Sequence, residues 1–378
     1  MKYDMLIKGG QVYDSTQGLA GDERDVGVRE GRVVAVERDI DRSESRRVVE
    51  ASGFLVTPGL IDLHVHVYEG VGVYGVNADS YCLDRGVTTA VDTGSAGALT
   101  FPGFRRYVID SVTTRIFALL HIADHGILGR NGELLDLRHA DVENAVSVVN
   151  ANRDTIVGMK IRLGKKQVGD HATEALRLAL EAAEATALPL MIHISDLAMP
   201  VEELLAVLRP GDILTHCFEE QTRSVLDEKG EVSRAMLDAL DRGVLLDVGH
   251  GMGSFSLEVA EKALREGLKP HTVSSDVHAL NIDGPVFDQV TTLAKFLSLG
   301  MPVSEVIERS TIACVRSLNL PRDIGHLRAG AHADIALLSL ESGNFRYSDS
   351  MGRTWDAEQN LSAAAVIKGG KMVVDHRR

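Results

Sequence analysis

Eight short apolar runs, separated by helical patterns, occupy the chain between Val56 and about Gly325. They are LIDLHVH (60–66), VTTAVDT (87–93), RIFALLHI (115–122), TIVGMKIRL (155–163), LPLMIHIS (188–195), DILTHCF (212–218), GVLLDVGH (243–250) and HTVSSD (271–276). Runs this short, bounded by turn-forming residues, read as buried strands, and their alternation with helices reads as repeated βα units around a parallel sheet. Of the intervening segments, ATEALRLALEAAEATA (172–187) places Leu176, Ala179, Leu180, Ala183 and Ala187 on one helical face. Eight repeats over about 270 residues match an α/β fold of the (β/α)8 TIM-barrel size. A doubly wound open sheet fits less well, because no GxGxxG fingerprint follows the first strand.

The two ends differ from this middle. MLIKGGQVYD, DVGVREGRVVAVE and RRVVEASGFLVTPG near the start, and ADIALLSL and AAAVIKGGKMVVDH near the end, are glycine-separated β-like runs. IKGGQVYD and IKGGKMVVD also echo each other. The expectation is a small β-sandwich domain built from 1–55 together with 326–378, attached to a barrel of 56–325, since chain termini commonly lie close together. With 378 residues, 44% of them hydrophobic, the chain has ample material for such a core. A net charge of −14 argues against nucleic acid as a partner. No apolar run approaches the ~20 residues of a membrane helix, so no membrane association is expected. Cys82, Cys217 and Cys314 are odd in number and far apart, which suits a reducing, cytoplasmic setting and neither a disulfide framework nor a cysteine-based zinc site.

In a (β/α)8 barrel the working side chains emerge at the C-terminal ends of the strands. Read that way, the first run ends in His64 and His66, the fourth in Lys160 and Arg162, the fifth in His193, the sixth in His216, the seventh in His250 and the eighth in Asp276. Residues i and i+2 of a strand share a face, so His64 and His66, roughly 7 Å apart along the backbone, are able to converge on one metal ion through bonds of about 2.0–2.1 Å. Taken singly, each histidine also reads as a core imidazole hydrogen-bonded to backbone, and Asp276 as a helix cap. Lys160 resists a bland reading, because an unpaired buried ammonium is costly. All six positions falling on one rim favours a site.

GLIDLHVH, with His193, His216 and Asp276 at the later strand ends, resembles the amidohydrolase superfamily, as do TPGLID and IGHLRAGAHADIALL. The resemblance spans essentially the whole chain; His326 and His332 depart from the usual pattern, in the expected β domain. A lysine ending the fourth strand is characteristic of the binuclear members, where it is carboxylated by CO2 and bridges the metals. GDILTHCF, DVGHGMGSFS, VSSDVHA and KFLSLGMPVSEVIERSTIACV are most similar to a deacetylase-like branch whose members are often labelled dihydroorotase or adenine deaminase.

The resemblance implies two divalent ions. His64, His66 and Asp276 would hold the more buried one and His193 and His216 the more exposed one, with a CO2-derived carbamate on Lys160 between them. Such nitrogen and oxygen ligands suit zinc, with manganese or iron as alternatives. Asp276 would carry the proton from attacking water to the leaving group. The implied reaction is removal of an acyl group, acetyl in particular, from a small carboxylate-bearing amide or ester such as an N-acetyl-D-amino acid or an acetylated 2-hydroxy acid. Cyclic-amide hydrolysis of the dihydroorotase or hydantoinase type is the alternative. Purine and cytosine deaminases of this superfamily fit less well, having normally one metal, no fourth-strand lysine and an HxxE pattern where this chain reads HISDLAMP. A non-enzymatic binding protein fits least, since no ligand is missing.

For substrate binding, Arg162 lies two residues beyond Lys160 and so points the same way, where its planar fork suits a carboxylate; a salt bridge to Asp196 or Asp170 is the competing reading. His250 reads equally as a substrate contact or as a loop-stabilising one. The partner expected is a small-molecule substrate, and homo-oligomerisation is compatible with this class of barrel.

Overall fold

The computed structural model describes residues 1–130, 132–221 and 225–377. Its barrel sheet contains seven parallel strands in sequence order: Leu60–Val65, Val87–Gly97, Arg115–His121, Ile156–Arg162, Leu190–His193, Ile213–Thr215 and Leu245–Leu246. All seven coincide with expected runs. The eighth, around 271–276, closes the ring without forming a regular strand. Parallel bridges join Thr272 to Asp247 and Val277 to Val65, and the Asp276 amide donates to the His64 carbonyl at 2.7 Å. The irregularity has a chemical cause. Thr272 and Ser274 turn their hydroxyls onto Asp247, and Ser275 turns its hydroxyl and amide onto Asp62, so side chains replace part of the ladder.

Outside the sheet, the alanine-rich segment forms a helix over Ala172–Thr186. Its buried face includes Leu176, Ala179 and Ala183 as expected, but centres on Ala175, Ala179, Ala182 and Ala183 rather than on Leu180, and Ala187 leaves the helix in a left-handed conformation (φ +53°). Small side chains on that face allow close approach to the fourth strand.

Strands from both termini form a second, eight-stranded sheet. Its order is Lys371–Asp375, Thr354–Lys368, Ile335–Ser348, Leu55–Pro58, Met5–Asp14, Leu19–Arg29 and Arg32–Glu37, with Val48–Glu50 pairing to Met5–Asp14. The two echoing IKGG segments serve different ends: Gly369 and Gly370 (φ +55° and +76°) make a hairpin turn, whereas Gly9–Gly10 falls at a bulge inside a strand. The sheet has its own core, in which Ile7, Val26, Val56, Ile335 and Ile367 are wholly buried.

From this sheet the Ile335–Ser348 and Thr354–Lys368 hairpin runs up the side of the barrel, where Tyr347, Ala357 and Leu361 pack into the barrel core. Its tip reaches the loop after the seventh strand: Ser350 donates its amide to the Phe255 carbonyl (3.0 Å) and its hydroxyl to the Gly251 carbonyl (2.8 Å), while Asp349 accepts from the Leu257 amide (3.0 Å).

At the other end of the barrel, Asp334 fastens sheet to barrel. Its buried carboxylate accepts from Arg115 at the start of the third strand (2.7 Å), from Lys368 (2.8 Å) and from the Gly369 amide (2.8 Å). Burial pushes this carboxyl up, but Lys368 and Arg115 outweigh it and hold the group below the usual carboxylate range. Asp334→Ala is expected to destabilise the protein by about 3 kcal/mol, the low end for breaking a buried ion pair, because Arg115 keeps part of its side chain in water. Urea denaturation measures this; a loss under about 1 kcal/mol would place the fastening elsewhere.

Candidate metal centre

The strand ends converge as the spacing predicts. His64 Nε2 and His66 Nε2 lie 3.4 and 3.3 Å from Asp276 Oδ1, and one donor atom from each of these residues falls within 4.8 Å of the others. The His216 ring centroid is 5.1 Å from that of His64 and 4.5 Å from that of His193, with the last pair edge to face. His193 is the one partly exposed imidazole of the four and so marks the mouth. His216 (φ +64°) and Asp276 (φ +53°) sit in left-handed backbone, which non-glycine residues adopt only where the surroundings hold them.

The groups behind the imidazoles set their tautomers. Thr215 donates its hydroxyl to Asp247 (2.8 Å), so the 2.9 Å contact from His64 Nδ1 to Thr215 Oγ1 must carry the imidazole proton. His216 Nδ1 donates to the Gly249 carbonyl at 2.6 Å. His66 Nδ1 meets Ser95 Oγ at 2.9 Å. With the Nδ1 protons so placed, His64 and His216 turn unprotonated Nε2 atoms inward, as metal-ligating histidines do. Gly249 is needed here: a Cβ on it would lie 2.3 Å from Thr215 Oγ1 and 3.0 Å from His64 Nδ1.

Three buried acids anchor this scaffold. Asp247 accepts the hydroxyls of Thr215, Thr272 and Ser274; Asp92 accepts the Val67 and Ser95 amides; Asp62 accepts the Ser275 amide and hydroxyl.

Burial dominates the titration of the cluster. It lowers His66 and His216 to about 4, and His64 and His193 well below their ordinary value, so all four imidazoles are neutral at pH 7. It lowers Lys160 to about 7, against the pull of Asp276 and Asp247. It raises Asp276, with His278, His216 and Lys160 opposing. Lys160 Nζ, His216 Nε2 and Asp276 Oδ1 are buried and hydrogen-bond to nothing among the described residues. Unpartnered buried polar atoms are rare and costly, and these belong to a lone-pair-bearing nitrogen, a carboxylate oxygen and an amine grouped at one mouth. That donor set fits divalent metal ions.

The six expected ligands, His64, His66, Lys160, His193, His216 and Asp276, thus share the mouth of the barrel. The two expected substrate residues fare differently. Arg162 is buried with its fork engaged: Nε and Nη2 bind Glu133, Nη2 at 2.8 Å, and Nη2 also donates to the Gly129 carbonyl at 3.1 Å. The partner is therefore Glu133 rather than Asp196 or Asp170, and two parallel bonds to a substrate carboxylate are not available from that edge. His250 requires a correction. Its Nδ1 meets the Gly251 carbonyl at 2.9 Å, its Nε2 meets Lys295 Nζ at 2.8 Å, and its ring stacks on Phe255 at 4.5 Å, so no nitrogen is left for a substrate. Lys295 completes its shell with the Pro285 and Ser348 carbonyls (2.7 and 2.9 Å), tying His250 to the hairpin tip.

Two histidines escaped the sequence reading. His121 ends the third strand in register with Lys160; its Nδ1 accepts from the Ala123 amide (2.9 Å), and its buried Nε2 has no hydrogen-bond partner among the described residues. The rule that picked out the other strand-end residues applied to it equally. His278, two residues after Asp276, has its ring centroid 4.9 Å from that of Tyr74 and 6.2 Å from that of His66.

Residues 255–373 match the amidohydrolase family. A deacetylase of Enterococcus faecalis is 32% identical over 375 residues, which cover 98% of this chain and 99% of that protein. Two solved structures superpose closely. One, described as an adenine deaminase, has a TM-score of 0.91 at 32% identity, covering 98% of this chain and 99% of that one. The other, described as a dihydroorotase, has a TM-score of 0.89 at 28% identity, covering 99% and 100%. A relative of this identity along nearly the full length of both chains, the matched C-terminal profile and the convergent ligand set lead to one conclusion: the chain belongs to the amidohydrolase family of hydrolases.

Proposed function

We propose that this enzyme is a two-metal hydrolase that removes an acyl group, acetyl in particular, from a small carboxylate-bearing amide or ester, such as an N-acetyl-D-amino acid or an acetylated 2-hydroxy acid. The observation that carries the reading is Lys160: a buried amine with no hydrogen-bond partner among the described residues, lowered to about 7, set among neutral imidazoles. A neutral amine adds CO2 through its nitrogen and gives up a proton to become a carbamate, which supplies the anionic bridge that two cations require. His64, His66 and Asp276 would hold one ion and His193 and His216 the other, with neutral nitrogen and hard oxygen donors that suit zinc. When bound, the ions supply Lewis acidity and make water a nucleophile near neutral pH.

The chain's own groups do the rest. Asp276 accepts the proton released as water attacks and returns it to the leaving nitrogen or oxygen; burial, which raises its pKa, fits it for that shuttle. The His278 Nδ1 accepts from the Leu280 amide at 3.2 Å, which puts the ring proton on Nε2 as a donor for substrate. The Arg162 Nε and Nη2 are bound to Glu133, so the role left for the guanidinium toward a substrate carboxylate is its Nη1 end together with its charge. The deacetylase name of the full-length relative supports acyl removal, and the dihydroorotase name of the second structure keeps cyclic-amide hydrolysis as the competing outcome. Three buried cysteines, far apart in sequence, fit a reducing compartment.

A turnover screen of zinc-loaded enzyme over N-acetyl-D- and N-acetyl-L-amino acids, acetylated 2-hydroxy acids, dihydroorotate, hydantoins and adenine decides among these. The expectation is turnover of the acetylated acids, with hardly any of the rings; the reverse order would replace deacylation by ring opening. Lys160→Ala should bring the metal content at these ligands to one ion or fewer and abolish turnover, with partial return on adding a short carboxylic acid; two tightly held ions and near-normal rates would remove Lys160 from the bridge. Asp276→Asn should lower kcat by about 10²–10⁴, the usual worth of a general acid–base group, and a smaller loss at saturating substrate would take Asp276 out of the proton path.

A further inference from the structure

We propose a second, separate metal site at Asp124, His125 and His139, one that closes the neck of the loop holding Arg162. Among the described residues, this is the one metal-capable grouping besides His64, His66 and Asp276. Asp124 Oδ1 lies 3.0 Å from His125 Nδ1 and 3.0 Å from His139 Nδ1, and the two rings meet edge to face at 4.8 Å. A tetrahedral ion with bonds of about 2.0–2.1 Å keeps its donors about 3.3 Å apart, so these separations need to open by only a few tenths of an ångström. Two imidazole nitrogens and one carboxylate oxygen suit zinc, and cobalt or nickel of the same charge. The three side chains are 27%, 17% and 46% exposed for His125, Asp124 and His139, leaving a fourth position to water. Without an ion, both Nδ1 protons point at Asp124 Oδ1. With one, the Nδ1 lone pairs turn to the metal and each ring carries its proton on Nε2 instead.

The backbone already holds the donors in place. The Asp124 amide donates to the His139 carbonyl (2.8 Å), Ala123 and Ala140 form an antiparallel bridge, and the Leu99 amide and Thr100 hydroxyl donate to the Asp124 and His125 carbonyls (2.7 and 3.2 Å). The ends of the segment are thus adjacent, while its interior reaches the barrel mouth through the Gly129 carbonyl and Glu133, both on Arg162. A cation at the neck holds together residues fifteen apart in sequence and removes freedom from the very loop that sets the direction of the guanidinium. This inference goes beyond the proposed reaction and does not need it.

The test uses the whole enzyme. Equilibrium dialysis against micromolar zinc, with metal content read by mass spectrometry, is run on the wild type, on H125A/H139A and on Lys160→Ala. Zinc-edge anomalous diffraction is collected from wild-type crystals grown from the same buffer. Expected are an anomalous peak bonded to Asp124, His125 and His139, one fewer zinc in H125A/H139A than in wild type, retention of that zinc in Lys160→Ala, and tryptic cleavage after Arg130 slowed about fivefold by zinc in wild type and in Lys160→Ala but not in H125A/H139A. No peak at the neck, or equal zinc in wild type and H125A/H139A, overturns the site. Loss of barrel zinc in Lys160→Ala bears on the carbamate and leaves the neck count to be read independently.

Discussion

Burial of an amine with no hydrogen-bond partner among the described residues is the constraint that organises the mouth of this barrel. An ammonium there would be costly, and Lys160 escapes the cost by becoming neutral near pH 7. The imidazoles around it are neutral for the same reason, and neutrality leaves each with one proton to place. Hydrogen bonds to Thr215 and Gly249 place it on the outer nitrogen of His64 and His216. Those partners are held in turn: Asp247 binds the hydroxyls of Thr215, Thr272 and Ser274, and the last two belong to the segment that closes the ring. The closure of the barrel and the tautomers of its ligands therefore rest on the same buried carboxylate.

Strand ends were legible in the sequence because burial and polarity conflict there. A histidine, lysine or aspartate at the end of an apolar run stands out against its neighbours, and the (β/α)8 rule then says where it points. His64, His66, Lys160, His193, His216 and Asp276 were readable on that ground. His121 ends the third run in the same way. His278 lies beyond its run, where no periodicity marks direction. The partner of Arg162 was out of reach for a different reason: Glu133 lies in a loop, and loop residues carry no repeating pattern from which a pairing across 29 positions is deducible.

His250 shows the limit of the strand-end rule. Its place at the end of the seventh run points to the mouth, yet the chain turns at Gly249 and Gly251, both with positive φ, and the ring folds back among Phe255 and Lys295. Lys295 comes from a helix 45 residues later and Ser348 from the hairpin, so the environment that captures His250 is assembled from segments that sequence proximity does not connect. In the terminal sheet, likewise, the echo between the two IKGG segments is real as sequence, while tertiary context makes one a turn and the other a bulge.

The long terminal hairpin bears on how the protein is made. During synthesis the chain emerges from its N-terminal end, so His64 and His66 are available long before Asp276, and Ser348 to Ser350 follow about a hundred residues after His250. The loop that carries Gly249 and Gly251, packed against His216 and Asp276, receives its bracing from those late residues. Until Thr215 and Asp247 are in place, His64 lacks the partners that fix its tautomer. A metal bound as proposed would therefore meet a braced set of donors only after the Ser348–Ser350 segment has docked.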